Sequence, residues 1–303
     1  MPFGLTGAPS IFQRLMDFVL CGLSYVTCLV YIDDIIVFGR TFDEHLVRLR
    51  EVFGRIRTAN LKIKPSKCSF FQRTVSFLGH VISENGIAMQ PEKIEAIQTW
   101  PPCRDLTELR AFLGTCGYYR RFVENFAGIA SPLYALMRKG VRFEWTTECQ
   151  EAFEELKLRL MSGPILALPI DEGTYILDAD ASGFGLGAIL SQTQFGTERV
   201  IAYSSRTLNR AEQQYETTKN ELLAIVNGLK QFRQYLVGRE FVIRTEHAAL
   251  SWLRRMPEPM PQLARWLTFI KEFNFTIVHR SGRKHSNVDG LNRRRVRTES
   301  ERE

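Results

Sequence analysis

The run CLVYIDDIIVFG, residues 28–39, sets two adjacent carboxylates, Asp33 and Asp34, in the middle of an apolar stretch. Few local structures tolerate that, because an ionised carboxylate taken out of water without a partner costs several kcal/mol. Both flanks are strand-like, so the simplest arrangement is a β-hairpin with the two aspartates at its tight turn. Aspartate suits turns on its own account. A turn alone does not explain flanks this apolar. They predict a hairpin buried on both sides, whose tip delivers the acids into a cleft. Two carboxylates there need a hard divalent cation, Mg²⁺ first and Mn²⁺ as the alternative.

The 303 residues suffice for two or three domains, and a hydrophobic content of 45% argues against wholesale disorder. No apolar run approaches the roughly 18 residues of a membrane span. The start, Met1-Pro2-Phe3-Gly4, lacks the charged and apolar segments of a secretory signal. The six cysteines form no CxxC pair and read as reduced thiols, neither zinc ligands nor disulfides. Together these features predict an intracellular protein that is not secreted and has no membrane partner. The net charge of +7 is uneven: residues 271–297 carry eight Lys and Arg against two acids. That density suits phosphate contact, and a solvated tail is the plain alternative.

Three regions separate by pattern. Residues 1–90 mix a helix over 8–20, the Asp-Asp segment, a second helix over 42–59 and β-prone runs near 75–82. Residues 91–165 read as helical, notably over 105–122 and 148–161, with Pro101-Pro102 and Pro132 as breaks. Residues 166–296 alternate strands and helices: TYILDADA, GLGAILSQ and RVIAYSSR, then one long helix over 211–236, then REFVIRTE, helical patterns near 248–255 and 262–273, and NFTIVH. Residues 297–303 form a charged tail. The expected class is α/β (α+β), with a mixed sheet in the last region.

That last region holds a second set of acids. Strand alternation puts Ile176, Asp178 and Asp180 on one face. Glu221 falls on the apolar stripe of the long helix with Ile225, Leu229 and Phe232, or at that stripe's edge, reaching water. Glu246 ends a strand, and Asp289 stands where a helix would start, which acids favour for the helix dipole alone. In Tyr118-Tyr119-Arg120-Arg121-Phe122, aromatics interleave with cations, a mixture suited either to stacking on nucleic acid or to core packing.

These segments resemble the Pol polyproteins of gypsy-type LTR retrotransposons. YIDD (residues 31–34) is similar to the metal-binding hairpin of reverse transcriptases. MPFGLTGAPSIFQRLMD is similar to the segment those enzymes place against nucleotide and template, with Phe3, Gly4, Pro9 and Gln13. LKIKPSKC and FLGH (residues 77–80, with Gly79) follow in order, the latter resembling the hairpin that grips the primer end. ELRAFLGTCGYYRRFVENFAGIASPLYAL looks like the thumb or connection. DAS, YETTKNELLAI, TEHAAL and GRKHSNVDGLNRR resemble the RNase H domain.

The resemblance implies a partial reverse-transcriptase palm over 1–90, a helical thumb or connection over 91–165 and an RNase H-like five-stranded sheet with helices over 166–296. It implies that Asp33 and Asp34 bind metal for polymerisation, with Tyr31 beside them. It also implies that Asp180, Glu221, Glu246 and Asp289 hold Mg²⁺ ions for hydrolysis of RNA in an RNA–DNA hybrid. Phe3, Gly4, Gln13, Gly79, Arg120, Arg121 and His279 would contact nucleic acid or nucleotide, although His279 suits an ordinary strand position equally well. The expected partners are template-primer, RNA–DNA hybrid and, for a complete polymerase, dNTP. The family supplies a third polymerase carboxylate upstream of the PFGL segment, so this chain alone is expected not to polymerise DNA. Glu246 stands where the family has Asp, which predicts weak RNase H activity; a non-catalytic relic that at most binds nucleic acid is the alternative.

Overall fold

A computed structural model describes residues 4–245 and 261–279. The chain divides into two compact units, Met1–Glu84 and Asn85–Glu303. The first contains α1 (Ala8–Val19), β1 (Cys28–Tyr31), β2 (Asp34–Val37), α2 (Phe42–Thr58), β3 (Val75–Phe77) and β4 (His80–Ser83). Pro9 sits in the first turn of α1, where its missing N–H costs nothing. The α2 start is capped reciprocally: Thr41 accepts from the Glu44 N–H at 3.2 Å, and Glu44 reaches back to the Arg40 N–H at 2.6 Å. The core of this unit is Met16, Val19, Leu20 and Leu23 against Cys28, Val52 and Ile56.

The second unit begins with β5 (Gly86–Met89), followed by the helices α3 (Pro91–Gln98), α4 (Leu106–Tyr118), α5 (Phe126–Ile129), α6 (Ser131–Leu136) and α7 (Thr147–Met161). Aromatic rings knit this helical layer: Phe112 meets Phe153 at 4.5 Å between centroids, flanked by Trp100 and Trp145 at 5.8 Å each. Next come β6 (Tyr175–Ala181), β7 (Gly185–Gln194), β8 (Thr197–Thr207), α8 (Thr217–Gln231), α9 (Arg233–Leu236), β9 (Glu240–Thr245), α10 (Pro261–Ile270) and β10 (Asn274–His279). The five strands lie in the order β10-β9-β6-β7-β8. β6, β7 and β8 pair antiparallel, whereas β9 runs parallel to both β6 and β10. Tyr175, Leu177 and Ala179 of β6 face a core shared with Leu222, Ile225 and Leu229 of α8.

The segment between helical layer and sheet is strapped down. Buried Gln192 accepts from the Ile170 N–H at 3.0 Å and donates to the Ile170 carbonyl at 2.8 Å. Buried Gln194 donates to the Leu168 carbonyl at 2.8 Å. The helical layer also meets β8 directly, the Ala127 N–H donating to Ser205 Oγ at 2.9 Å.

The single long helix expected over 211–236 is three pieces: a 3₁₀ turn at Glu212–Gln214, then α8, then α9. Tyr215 and Glu216 are extended. Tertiary contacts fix that break, since the Tyr215 ring lies under the Lys219 amine at 3.6 Å and its hydroxyl meets Gln262 at 3.0 Å. The helix pattern expected near 248–255 lies outside the described residues.

All six cysteines are free, with Cys103 and Cys116 buried and Cys21 exposed. Burial, aided by the charges of Glu108 and Asp105, pushes the Cys103 thiol up to about 11; burial pushes Cys116 up to about 12. The folded state therefore keeps both protons where the unfolded chain, with thiols near 9.0, loses them. Their contribution to stability is intact below pH 9.0 and declines as pH rises towards 11 and 12. Cys116→Ala is expected to reduce the alkaline loss in a pH series of thermal melts. At neutral pH, iodoacetamide should label Cys21 well before Cys103 or Cys116.

Candidate active sites

In the first unit Tyr31 pairs with Asp34 as the last rung of the β1–β2 hairpin, leaving Ile32 and Asp33 as a two-residue turn. Cys28, Val30, Ile35 and Val37 face the core. The other face carries Leu29, Ile36, Tyr31 and Asp34, with Tyr31 and Asp34 exposed. The expected hairpin buried on both sides is thus corrected among the described residues: one face packs on α1 and α2, and the other is half open. Asp33 and Asp34 are both solvent-exposed, as is Asp17.

Ile32 adopts φ +52°, a left-handed conformation that β-branched residues seldom take. Gln13 of α1 offsets this strain. Its Oε1 accepts from the Ile32 N–H at 2.6 Å, and its Nε2 donates to the Val30 carbonyl at 3.4 Å and to Asp17 at 2.8 Å. Gln13 thus braces the turn that presents the acids, a role its sequence position alone does not disclose. Gly4 is exposed ahead of α1. Gly79, with φ +76°, turns the β3–β4 hairpin together with Leu78. Phe3 lies outside the described residues.

In the second unit, α8 packs on β6 and β7. Gly228 permits the approach: a Cβ there would stand 3.1 Å from Leu177 Cδ1 and 3.2 Å from Ala188 Cβ. Tyr235, beyond the C-terminal end of α8, lies near Tyr175 at the start of β6, with ring centroids 6.5 Å apart. The helix therefore runs back along β6. Glu221 is two turns before Gly228, about 10 Å. Asp180 is three residues after Leu177, also about 10 Å. Both displacements point towards the same end of the layer. Glu221 is only 6% exposed, and Asp180 is half-buried. Arg206 of β8 steadies α8 from outside, donating to Asn227 at 3.0 Å while paired with Glu212 at 2.7 Å. That pairing holds the Glu212 carboxyl below its usual range.

Glu246 and Asp289 lie outside the described residues, and His279 is the last residue of β10. Among the described residues no group of three or more His, Cys, Asp and Glu is placed to hold a metal ion. The two acids that can be followed are oxygen donors, the chemistry Mg²⁺ takes.

The Tyr118–Phe122 cluster splits. Tyr118 and Arg120 are exposed, whereas Tyr119 and Phe122 are buried core residues. α4 ends at Tyr118, and residues 120–122 form a 3₁₀ turn, so the cluster is not one helical face. Arg121 is half-buried and donates to the Ile201 carbonyl of β8 at 3.4 Å. One feature went unseen in the sequence: Arg244 of β9 forms a two-pronged ion pair with buried Asp178 of β6. Its signal was there to find, since Asp178 and Arg244 each stand two residues before a candidate acid.

Residues 1–82 match the reverse transcriptase (RNA-dependent DNA polymerase) family, and residues 145–243 match the RNase H-like domain found in reverse transcriptase. The chain is 43% identical over 98% of its length to the retrovirus-related Pol polyprotein from transposon 297 of Drosophila melanogaster. The chain belongs to the LTR-retrotransposon Pol polyproteins. A second relative, the transposon Tf2-3 polyprotein of Schizosaccharomyces pombe, is 34% identical over 97% of the chain. The chain spans 28% and 22% of the length of these two relatives. In fold it is similar to a foamy viral protease-reverse transcriptase solved with double-stranded DNA, with a TM-score of 0.79 and 24% identity over 92% of this chain and 50% of that one. A foamy viral protease-reverse transcriptase solved with an RNA/DNA hybrid is similar too, with a TM-score of 0.79 and 24% identity over 93% of this chain and 39% of that one.

Gln13→Ala is expected to cost about 1 kcal/mol and to speed hydrogen exchange at the Ile32 amide. Gly228→Val should destabilise the chain by about 1–3 kcal/mol through overpacking against Leu177 and Ala188. Thermal melts of each variant check both.

Proposed function

We propose that the RNase H-like domain hydrolyses the RNA strand of RNA–DNA hybrids, with Asp180, Glu221, Glu246 and Asp289 as its metal-holding acids. The observation that carries this reading is the placement of Asp180 and the buried Glu221 at one end of the β6–α8 layer, within a stretch matching the RNase H-like family. Bound Mg²⁺ would supply a lowered water pKa and neutralise charge on the scissile phosphate. The protein's part is to hold oxygen donors on a rigid strand and helix. The hybrid complex of the foamy viral neighbour supports nucleic acid as the partner.

Together with the third carboxylate that the family carries, Asp33 and Asp34, presented by the braced hairpin, would serve RNA-directed DNA synthesis from dNTP on a template-primer; the two alone are not expected to support it. The order of the YIDD and FLGH segments and the ELRAFLGTCGYYRRFVENFAGIASPLYAL stretch favour the gypsy-type branch of the LTR elements. The absence of CxxC pairs and the burial of four of the six free thiols fit an intracellular setting.

A second reading, a relic that only binds nucleic acid, rests on Glu246 in place of the family's Asp. The extra methylene moves the carboxylate by roughly one C–C bond, about 1.5 Å. Misplacement on the order of 1 Å can cost about 100-fold in rate. Weak, Mg²⁺-dependent cleavage of a labelled hybrid is expected from the parent chain. Glu246→Asp should raise it by roughly tenfold or more, and Glu221→Gln should abolish it. Background-level cleavage by both the parent and Glu246→Asp would leave the relic standing.

A further inference from the structure

Among the described residues, the parallel ladder between β6 and β9 runs from Tyr175 opposite Phe241 to Asp178 opposite Arg244. Ligands of α/β sheets bind in the crevice outside the carboxyl ends of parallel strands. Asp180 stands near that end of β6, two residues beyond the Asp178 rung.

The last described rung is held by charge. Arg244 Nε donates to Asp178 Oδ1 at 2.8 Å, and its terminal nitrogen donates to Oδ2. The guanidinium also donates to Glu198 of β8 at 2.8 Å. Asp178 is 3% exposed. Stability alone does not account for this pair, because apolar residues in place of a buried ion pair are often neutral or stabilising. What apolar residues lack is a unique geometry. A planar fork on a carboxylate admits one alignment, whereas two leucines slide.

We propose that Arg244 is a positioning residue. Its fork on Asp178 fixes the last described β6–β9 rung and hence the place of Asp180, so that divalent-cation binding depends on a side chain that touches neither metal nor nucleic acid. This rests on the nuclease reading above and deepens it. Partners that orient metal ligands from behind typically matter by 10- to 100-fold in metal affinity.

The test uses the full chain and three variants: the apolar pair Asp178→Leu/Arg244→Leu, the conservative Arg244→Lys, and Glu221→Gln as the ligand-loss reference. Thermal unfolding, calorimetric titration with Mg²⁺ alone, and the Mg²⁺ dependence of hybrid cleavage are measured for each. The apolar pair is expected to melt close to the parent yet bind Mg²⁺ roughly 10- to 100-fold more weakly. Its cleavage should be largely restored at high Mg²⁺. Arg244→Lys keeps the charge without the fork and should show the same loss. Parent-like Mg²⁺ affinity in the folded apolar pair overturns the proposal while leaving the nuclease reading intact. If the apolar pair fails to fold, Arg244→Lys decides: unchanged affinity overturns the proposal, and a tenfold loss supports it. A parent chain that neither binds Mg²⁺ nor cleaves hybrid removes the nuclease reading and this inference together.

Discussion

The second unit depends on how closely α8 lies on the central strands. A glycine at position 228 lets helix and sheet touch without an intervening side chain, and Leu177 and Ala188 fill the surface it meets. That close seat carries Glu221 into the protein interior. A carboxylate only 6% exposed is costly to bury unless partners meet it. The helix cannot roll to move it, because Leu222, Ile225 and Leu229 are locked in the core beside it. Apolar packing thus fixes where on the layer this acid sits.

The two units meet the problem of gathered negative charge differently. Asp33 and Asp34 remain in water, where two unit charges about 4 Å apart repel by only about 1 kcal/mol. Their difficulty is conformational, a strained Ile32, and a neutral amide from α1 resolves it. In the second unit the strands are ordinary and the difficulty is electrostatic. A guanidinium meets it there, satisfying Asp178 and leaving Asp180 a separate fate.

Much of this was legible in the sequence. The strands around Asp178, Ile189 and Arg244 and the apolar stripe bearing Glu221 follow from periodicity, and the hairpin at Tyr31–Asp34 follows from its flanks. What the sequence hid was of two kinds. Tyr215 broke a helix pattern through a partner 47 residues away, a contact no local window contains. Gln13, singled out by the family resemblance, and Arg121, singled out by its aromatic neighbours, both bond to backbone carbonyls, contacts that depend on which strand passes nearby. Strand order was equally hidden, since periodicity gives strands without neighbours. Glu246 and Asp289 lie beyond the described residues, so half of the acid set rests on sequence.

Gln192 and Gln194 have a mechanical consequence. Their amides grip the backbone at Leu168 and Ile170, the stretch that links helices to sheet. A polypeptide bridge held that way is a weld and not a hinge. Swivelling the sheet about it would strand buried amides without acceptors, so whatever adjustment substrate demands must come from somewhere other than this joint.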